Sequence, residues 1–200
     1  YGSCAPQRSS SPRYSPAWAK LSWVYGDEAR YGFNRRPDEA APFERARIAA
    51  ERAVAANSSS AMAHQYLALA KFALGDDAGA RASIETALRL NPNNSEILAD
   101  AGMILVILSG EDRGRELSEK AIAVNPGHPA WYYAPLAIYH ILKGNKVAAL
   151  EAARKGAPDG SPMGGYMLAA ALRLNGNDAL ADQALQSPGA TFPGRDDHTV

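Results

Sequence analysis

Cysteine is almost missing from the 200 residues. Cys4 stands alone, which excludes an internal disulfide framework and any cysteine-based zinc cluster and makes a reducing, cytoplasmic setting the expected location. Charge of one sign is missing too. The 21 Lys and Arg residues cancel the 21 Asp and Glu residues, and residues 1–100 and 101–200 carry about +1 and about −1. Neither half offers the field that draws nucleic acid or an anionic membrane, so neither is an expected partner. The longest apolar run, Met103 to Leu108 behind Ala101 and Gly102, falls far short of the roughly 20 residues a membrane-spanning helix needs. Strand-favouring Val, Ile and Thr are sparse, whereas alanine makes up about a fifth of the chain. With 46% hydrophobic and 21% charged residues, the composition is that of an all-helical chain with a sizeable core.

The usual catalytic constellations are also missing. There is no His-Glu-x-x-His, no glycine-rich loop ending in Gly-Lys-Ser/Thr and no Gly-x-Ser-x-Gly. The histidines at 64, 128, 140 and 198 are scattered, and His128, directly before Pro129, is expected to be a helix cap or turn residue. The glycine-rich stretch 156–165 lacks the lysine and the preceding strand of a phosphate cradle, so it reads as a loop between units. No enzyme activity, metal or cofactor is expected. Residues 1–13 and 188–200, rich in Ser, Pro and Gly, lack helical periodicity and are expected to be flexible ends around an ordered region 14–187. No basic and apolar leader precedes Gly2-Ser3-Cys4, and no Met stands first, which points to a truncated chain more than to a lipoprotein site.

What is present is a repeat. Leu90-Asn91-Pro92-Asn93 and Val124-Asn125-Pro126-Gly127 set two prolines 34 residues apart. A unit starting at Ala61 places Leu67, Ala68, Ala80 and Ala87 where the next unit, starting at Ser95, places Ala101, Gly102, Gly114 and Ala121. Small residues there let two antiparallel helices approach closely. Gly75-Asp76, Gly110-Glu111, Gly144-Asn145 and Gly176-Asn177 each pair a left-handed helix end with a polar start for the next helix. Ser15-Pro16 and Ser161-Pro162 read as helix starts with a serine cap and a proline in the first turn. Arg47/Glu51, Glu85/Arg89, Glu116/Lys120 and Glu151/Lys155 stand four apart on the second helices and mark a solvated outer face. Pro135, inside the first helix of a unit, is expected to interrupt it near 131–135.

On these residues the chain resembles the tetratricopeptide repeat family, whose pattern is W-x2-L-G-x2-Y, then A-x3-F, A and P. Trp18-x2-Leu21-Ser22-x2-Tyr25 fits the opening of the first unit, and further units begin near Pro129, with Tyr132, Tyr139, Gly144 and Ala148, and near Ser161, with Met167, Leu168, Gly176 and Ala184. The resemblance implies an all-α, right-handed superhelix of about five helix-turn-helix units over residues 14–187. It departs from the pattern in about 12 extra residues within unit one, in Pro135, and in the lost Asn-Pro of the last two units.

Stacked as in that family, the first helices line a concave groove, entered from unit positions 2, 5, 9, 12 and 13. The resemblance therefore implies a groove of Trp23, of Met62, Gln65, Leu69 and Phe72, of Met103, Val106 and Ile107, of Tyr133, His140 and Ile141, and of Arg173. Trp23, Tyr133 and His140 are the expected ligand contacts, and a protein or peptide the expected partner. Family members that hold an acidic chaperone tail use lysine, asparagine and arginine in the groove. Here the matching places hold Ala19, Lys20, Trp23 and Tyr66, so that clamp is not expected. The insertion 26–38, together with His128-Pro129-Ala130-Trp131-Tyr132, is similar to the C-terminal repeat region of bacterial adenylate-cyclase-type proteins and winged-helix transcriptional regulators. That likeness implies a signalling module whose output domain lies outside this chain, an intramolecular partner. On residue chemistry, Tyr31 and Phe33 are expected to cover the open edge of unit one.

Overall fold

The computed structural model describes residues 14–34, 38–157 and 162–186, so the expectations for the two ends and for Ser161 lie outside the described residues. Among the described residues ten α-helices run in order: α1 Ser15–Tyr31, α2 Pro42–Ala56, α3 Ala61–Ala73, α4 Asp77–Leu90, α5 Ser95–Ser109, α6 Asp112–Val124, α7 Ala134–Leu142, α8 Lys146–Gly156, α9 Pro162–Leu174 and α10 Asp178–Leu185. Consecutive pairs form five hairpins. The odd-numbered helices pack against one another in sequence, and each even-numbered helix also packs on the odd-numbered helix that follows it. The result is an inner layer of first helices and an outer layer of second helices, the all-α solenoid expected.

Each hairpin closes on a pair of small residues twelve apart: Ala68 with Ala80, Gly102 with Gly114, Ala137 with Ala149 and Ala169 with Ala181, all buried. In unit one the pair is Ser22 and Ala46, with the expected extra dozen residues between them. Unit three leaves no slack. A Cβ on Gly102 would strike the Ser118 hydroxyl and stand 2.8 Å from the Gly114 carbonyl oxygen, and one on Gly114 would stand 2.9 Å from the Val106 amide nitrogen. The same pairs correct the register of unit four. From Gly102 to Ala137 is one residue more than from Ala68 to Gly102, the extra residue falling in the connection after α6, so Ala149 and not Ala148 lies at the crossing. Unit four therefore begins at Ala130, and every later position in it turns by about 100° around the helix.

The hairpin turns form as their residues require. Gly75, Gly110, Gly144 and Gly176 all take the left-handed conformation. Asp76 accepts a hydrogen bond from the Gly79 amide at 2.9 Å, and Ser60 and Asn94 cap α3 and α5 in the same way. Ser15 does not cap. It is the first residue of α1, with its hydroxyl buried and without a hydrogen-bond partner among the described residues, and Tyr14 takes the cap position. Pro135 interrupts its helix as expected: a 3-10 turn spans Ala130–Tyr133, and α7 starts afresh with the proline in its first turn, where the missing N–H is harmless. His128 lies in the turn before it, stacked on Tyr132 at 5.5 Å.

Of the four expected i,i+4 ion pairs, Arg47–Glu51 and Lys155–Glu151 form, at 2.6 and 2.7 Å. The other two give way to ties between units: Glu85 accepts from Arg113 at 2.8 Å, and Lys120 donates to the Pro92 carbonyl at 2.9 Å. In the insertion, Arg45 stacks over the Tyr25 ring and binds Glu28, which is buried, while Asn34 donates to the same carboxylate. That polar anchor, and not an aromatic lid, holds the described part of the segment, and Tyr31 and Phe33 stay about half exposed.

Because the third hairpin meets backbone to backbone, Gly114→Ala should lower unfolding free energy by about 1–3 kcal/mol and Ala121→Arg by several. The exposed-face control Glu116→Ala should stay within about 0.5 kcal/mol, all three read from urea denaturation.

Candidate functional site

A first helix that packs on its partner and on two neighbours keeps one narrow stripe free. On α5 that stripe is Glu96, Asp100, Met103 and Ile107, at helical i, i+4, i+7 and i+11, while Ile97, Leu98, Ala101, Gly102, Ile104 and Leu105 are buried. On α3 the equivalent row is Met62, Tyr66, Leu69 and Ala73, with Gln65 and Phe72 on its flank at the places of Ala99 and Val106, and on α1 it is Lys20, Trp23, Asp27 and Arg30. Side chains knit the three rows into one surface. Lys20 donates to the Tyr66 hydroxyl at 3.2 Å and lies over the rings of both Trp23 and Tyr66. Gln65 Nε2 donates to Asp100 Oδ2 at 2.7 Å. Trp23, Arg30, Tyr66 and Leu69 share a small cleft of about 20 Å³, space for one water.

The expected groove residues divide on this geometry. Trp23 is 45% and Ile107 43% exposed, Met62, Leu69 and Met103 are half-buried along the stripes, and Phe72, on the flank, is half-buried against the core cluster of Ile84 and Leu88. Val106 does not belong: it is fully buried, 0% exposed, and packs against Gly114 of α6, one position round the helix from Ile107. Tyr133 turns to α8, where Lys155 lies over its ring at 5.5 Å and Gly156 sits beside its Cβ. His140 lies among Arg115 and Glu119 of α6 and Glu151 of α8, on the outer side; burial, and then Arg115, hold its imidazole below the ordinary pKa. Both misplacements follow from the one-residue shift of unit four, which sets Trp131, Ile138 and the exposed Leu142 at the places of Glu96, Met103 and Ile107, and expected Ile141 at the place of Val106, packed against the core around Ala137 and Ala149. Arg173 reaches Asp182 of α10 at 2.7 Å. Gln65 is 4% exposed and reaches the groove through its bond to Asp100.

Asp100, at unit position 6, falls outside the family's groove positions, whereas Glu96 stands at position 2; both belong to the i, i+4, i+7, i+11 row that ends in Met103 and Ile107. Burial pushes the Asp100 carboxyl up to about 6; the Gln65 amide and the Arg30 charge pull it down, and Glu96 adds to the rise. Lys20 is held above its ordinary value by its bond to Tyr66. Among the described residues no group of His, Cys, Asp and Glu is arranged to hold a metal ion, and no helix is long and apolar enough to cross a membrane.

No family model and no curated protein matches the chain. Solved structures do. PilW, a widely conserved type IV pilus biogenesis factor, superposes with a TM-score of 0.69 at 18% identity over 88% of this chain and 76% of its own. Pseudomonas aeruginosa pilF gives 0.67 at 18% identity over 92% and 78%. A tetratricopeptide repeat protein from Parabacteroides merdae gives 0.61 at 18% identity over 86% and 66%. The fold is thus the tetratricopeptide-repeat solenoid.

A carboxyl whose folded pKa is about 6, against 3.8 when solvated, binds its proton more tightly in the folded chain. Its contribution is therefore greatest below pH 4 and is lost as pH rises through 6. Asp100→Asn should stabilise the protein by about 1–3 kcal/mol at pH 7.5 and by almost nothing at pH 4, measured as paired urea denaturation at the two pH values.

Proposed function

We propose that the chain is a protein-interaction scaffold that holds a peptide or a segment of a partner protein across the concave face of α1, α3, α5 and α7. The observation that carries this reading is the inner stripe itself. Large apolar side chains, Trp23 and Ile107 foremost, stay exposed there beside half-buried Leu69 and Met103, in a row that no helix among the described residues covers. Such a row is where repeat proteins bind, and rigid aromatic anchors are where binding energy concentrates. The similarity in fold to PilW and pilF supports a scaffold that brings components of an assembly together, without a catalytic role of its own. The near-absence of cysteine supports a cytoplasmic setting. The alternative, a regulatory region serving the output domain of a cyclase or transcription regulator, rests on the insertion and on the Trp131 segment alone.

Trp23→Ala and Ile107→Asp baits should each lose partner in a pull-down from the source cell, and titration of the retained partner should show losses of about 1–2 kcal/mol for Trp23→Ala. Glu116→Ala, on the outer layer, should bind like the parent. Retention by both groove variants with loss by Glu116→Ala would move the binding surface to the outer side.

A further inference from the structure

The groove is not uniform along α5. Its distal half, Met103 and Ile107, is apolar, and its proximal half is a set of oxygen acceptors. Gln65 commits its amide nitrogen to Asp100 Oδ2. Among the described residues nothing donates to Gln65 Oε1, to Asp100 Oδ1 or to the Glu96 carboxylate, and none of these oxygens is sealed from solvent. The cations nearest in the groove are already engaged on the α1 side. Lys20 is bound to the Tyr66 hydroxyl between two rings, and Arg30 pairs with Asp27 at 3.0 Å. A neutral amide oxygen beside two carboxylates has acceptors only, and the group that answers several acceptors at once is an ammonium or a guanidinium.

We propose that this acidic end of the groove receives a lysine or arginine side chain of the bound segment, while an aliphatic or aromatic residue of the same segment packs on Met103 and Ile107. The inference rests on the concave-face reading and names the chemistry of its partner: a basic residue spaced from an apolar one by the roughly 10 Å that separates Asp100 from Ile107 along the helix. The acceptors are set for the task before binding, since Gln65 is locked in the core and fixes the rotamer of Asp100. They are also kept against the interest of the free protein. An ionised Asp100 faces Glu96 on its own helix, the Tyr66 and Tyr132 hydroxyls and, among the described residues, one attractive charge, Arg30, itself shared with Asp27. A destabilising carboxylate on a binding face is the mark of a site shaped by its ligand.

The test uses fluorescence anisotropy with synthetic peptide pools of about ten residues, each with Leu and Phe flanks around one fixed residue: Lys, Arg, the neutral isostere norleucine, or Glu. The Lys and Arg pools should bind the full chain about tenfold or more tightly than the norleucine and Glu pools. Asp100→Asn, which removes a destabilising charge and so folds, should bring all four within about twofold of one another. In parallel, the side-chain carboxyl carbon of Asp100, followed by NMR, should titrate at lower pH with the Lys pool bound. Equal binding of norleucine or Glu pools to the parent, a preference surviving in Asp100→Asn, or an unmoved Asp100 titration would overturn the basic-residue site. If Trp23→Ala and Ile107→Asp still weakened every pool in that case, the groove would stand as a binding surface. Should no pool bind, or binding ignore both groove variants, the groove reading would fall and this inference with it.

Discussion

The structure depends on how closely two antiparallel helices can approach at one crossing per unit. That distance is set by two side chains, twelve residues apart in four units and 24 apart in the first, and in all five both are glycine, alanine or serine. Once the crossing is close, the rest of the hairpin is constrained. The next inward positions, such as Ile84 and Ala87 on α4 or Ser118 and Ala121 on α6, are buried in turn, and the left-handed glycine closes the turn at a fixed offset. The first helices then have only one stripe that faces neither partner nor neighbour. The groove is what remains when the crossing has been satisfied, which is why its residues are read from the crossing outward.

That order also explains what the sequence could and could not tell. The repeat was legible because close packing permits so few residue types: Ala68, Ala80, Gly102 and Gly114 announce themselves by size. Hairpin turns were legible because a positive φ needs glycine. Unit four was legible as a unit but not in phase, because its connection from α6 carries one additional residue and its own closing Asn-Pro is missing. A period-based count slides by one there, and one residue is enough to carry Tyr133 and His140 from the inner face to the outer. Val106 was misread for a related reason, since an unbroken run from Met103 to Leu108 does not say which member faces out.

Polar residues were the least legible, because their partners lie in other units. Glu85 forgoes Arg89 for Arg113, Lys120 finds a carbonyl of the previous turn, and Tyr139 donates to Asp112 across the joint between the third and fourth units at 2.6 Å. Local spacing cannot reveal such ties. The same holds for Asp100, whose character comes from the buried amide of Gln65, 35 residues earlier. A polar side chain on the groove stripe was read only as one of a fixed set of positions, and its electrostatic state became visible when the neighbouring helix was in place.

The contact between Gly102 and Gly114 bears on how the solenoid deforms. Side-chain interfaces can shear, because rotamers adjust; a joint in which main chain rests on main chain has almost no compliance. The middle hairpin is thus built as a stiff rib, and any bending or twisting of the solenoid would fall at the joints on either side of it. Curvature of the inner surface would then change through a few discrete hinges, with the α5 stripe carried unaltered as the fixed reference against which the outer units swing.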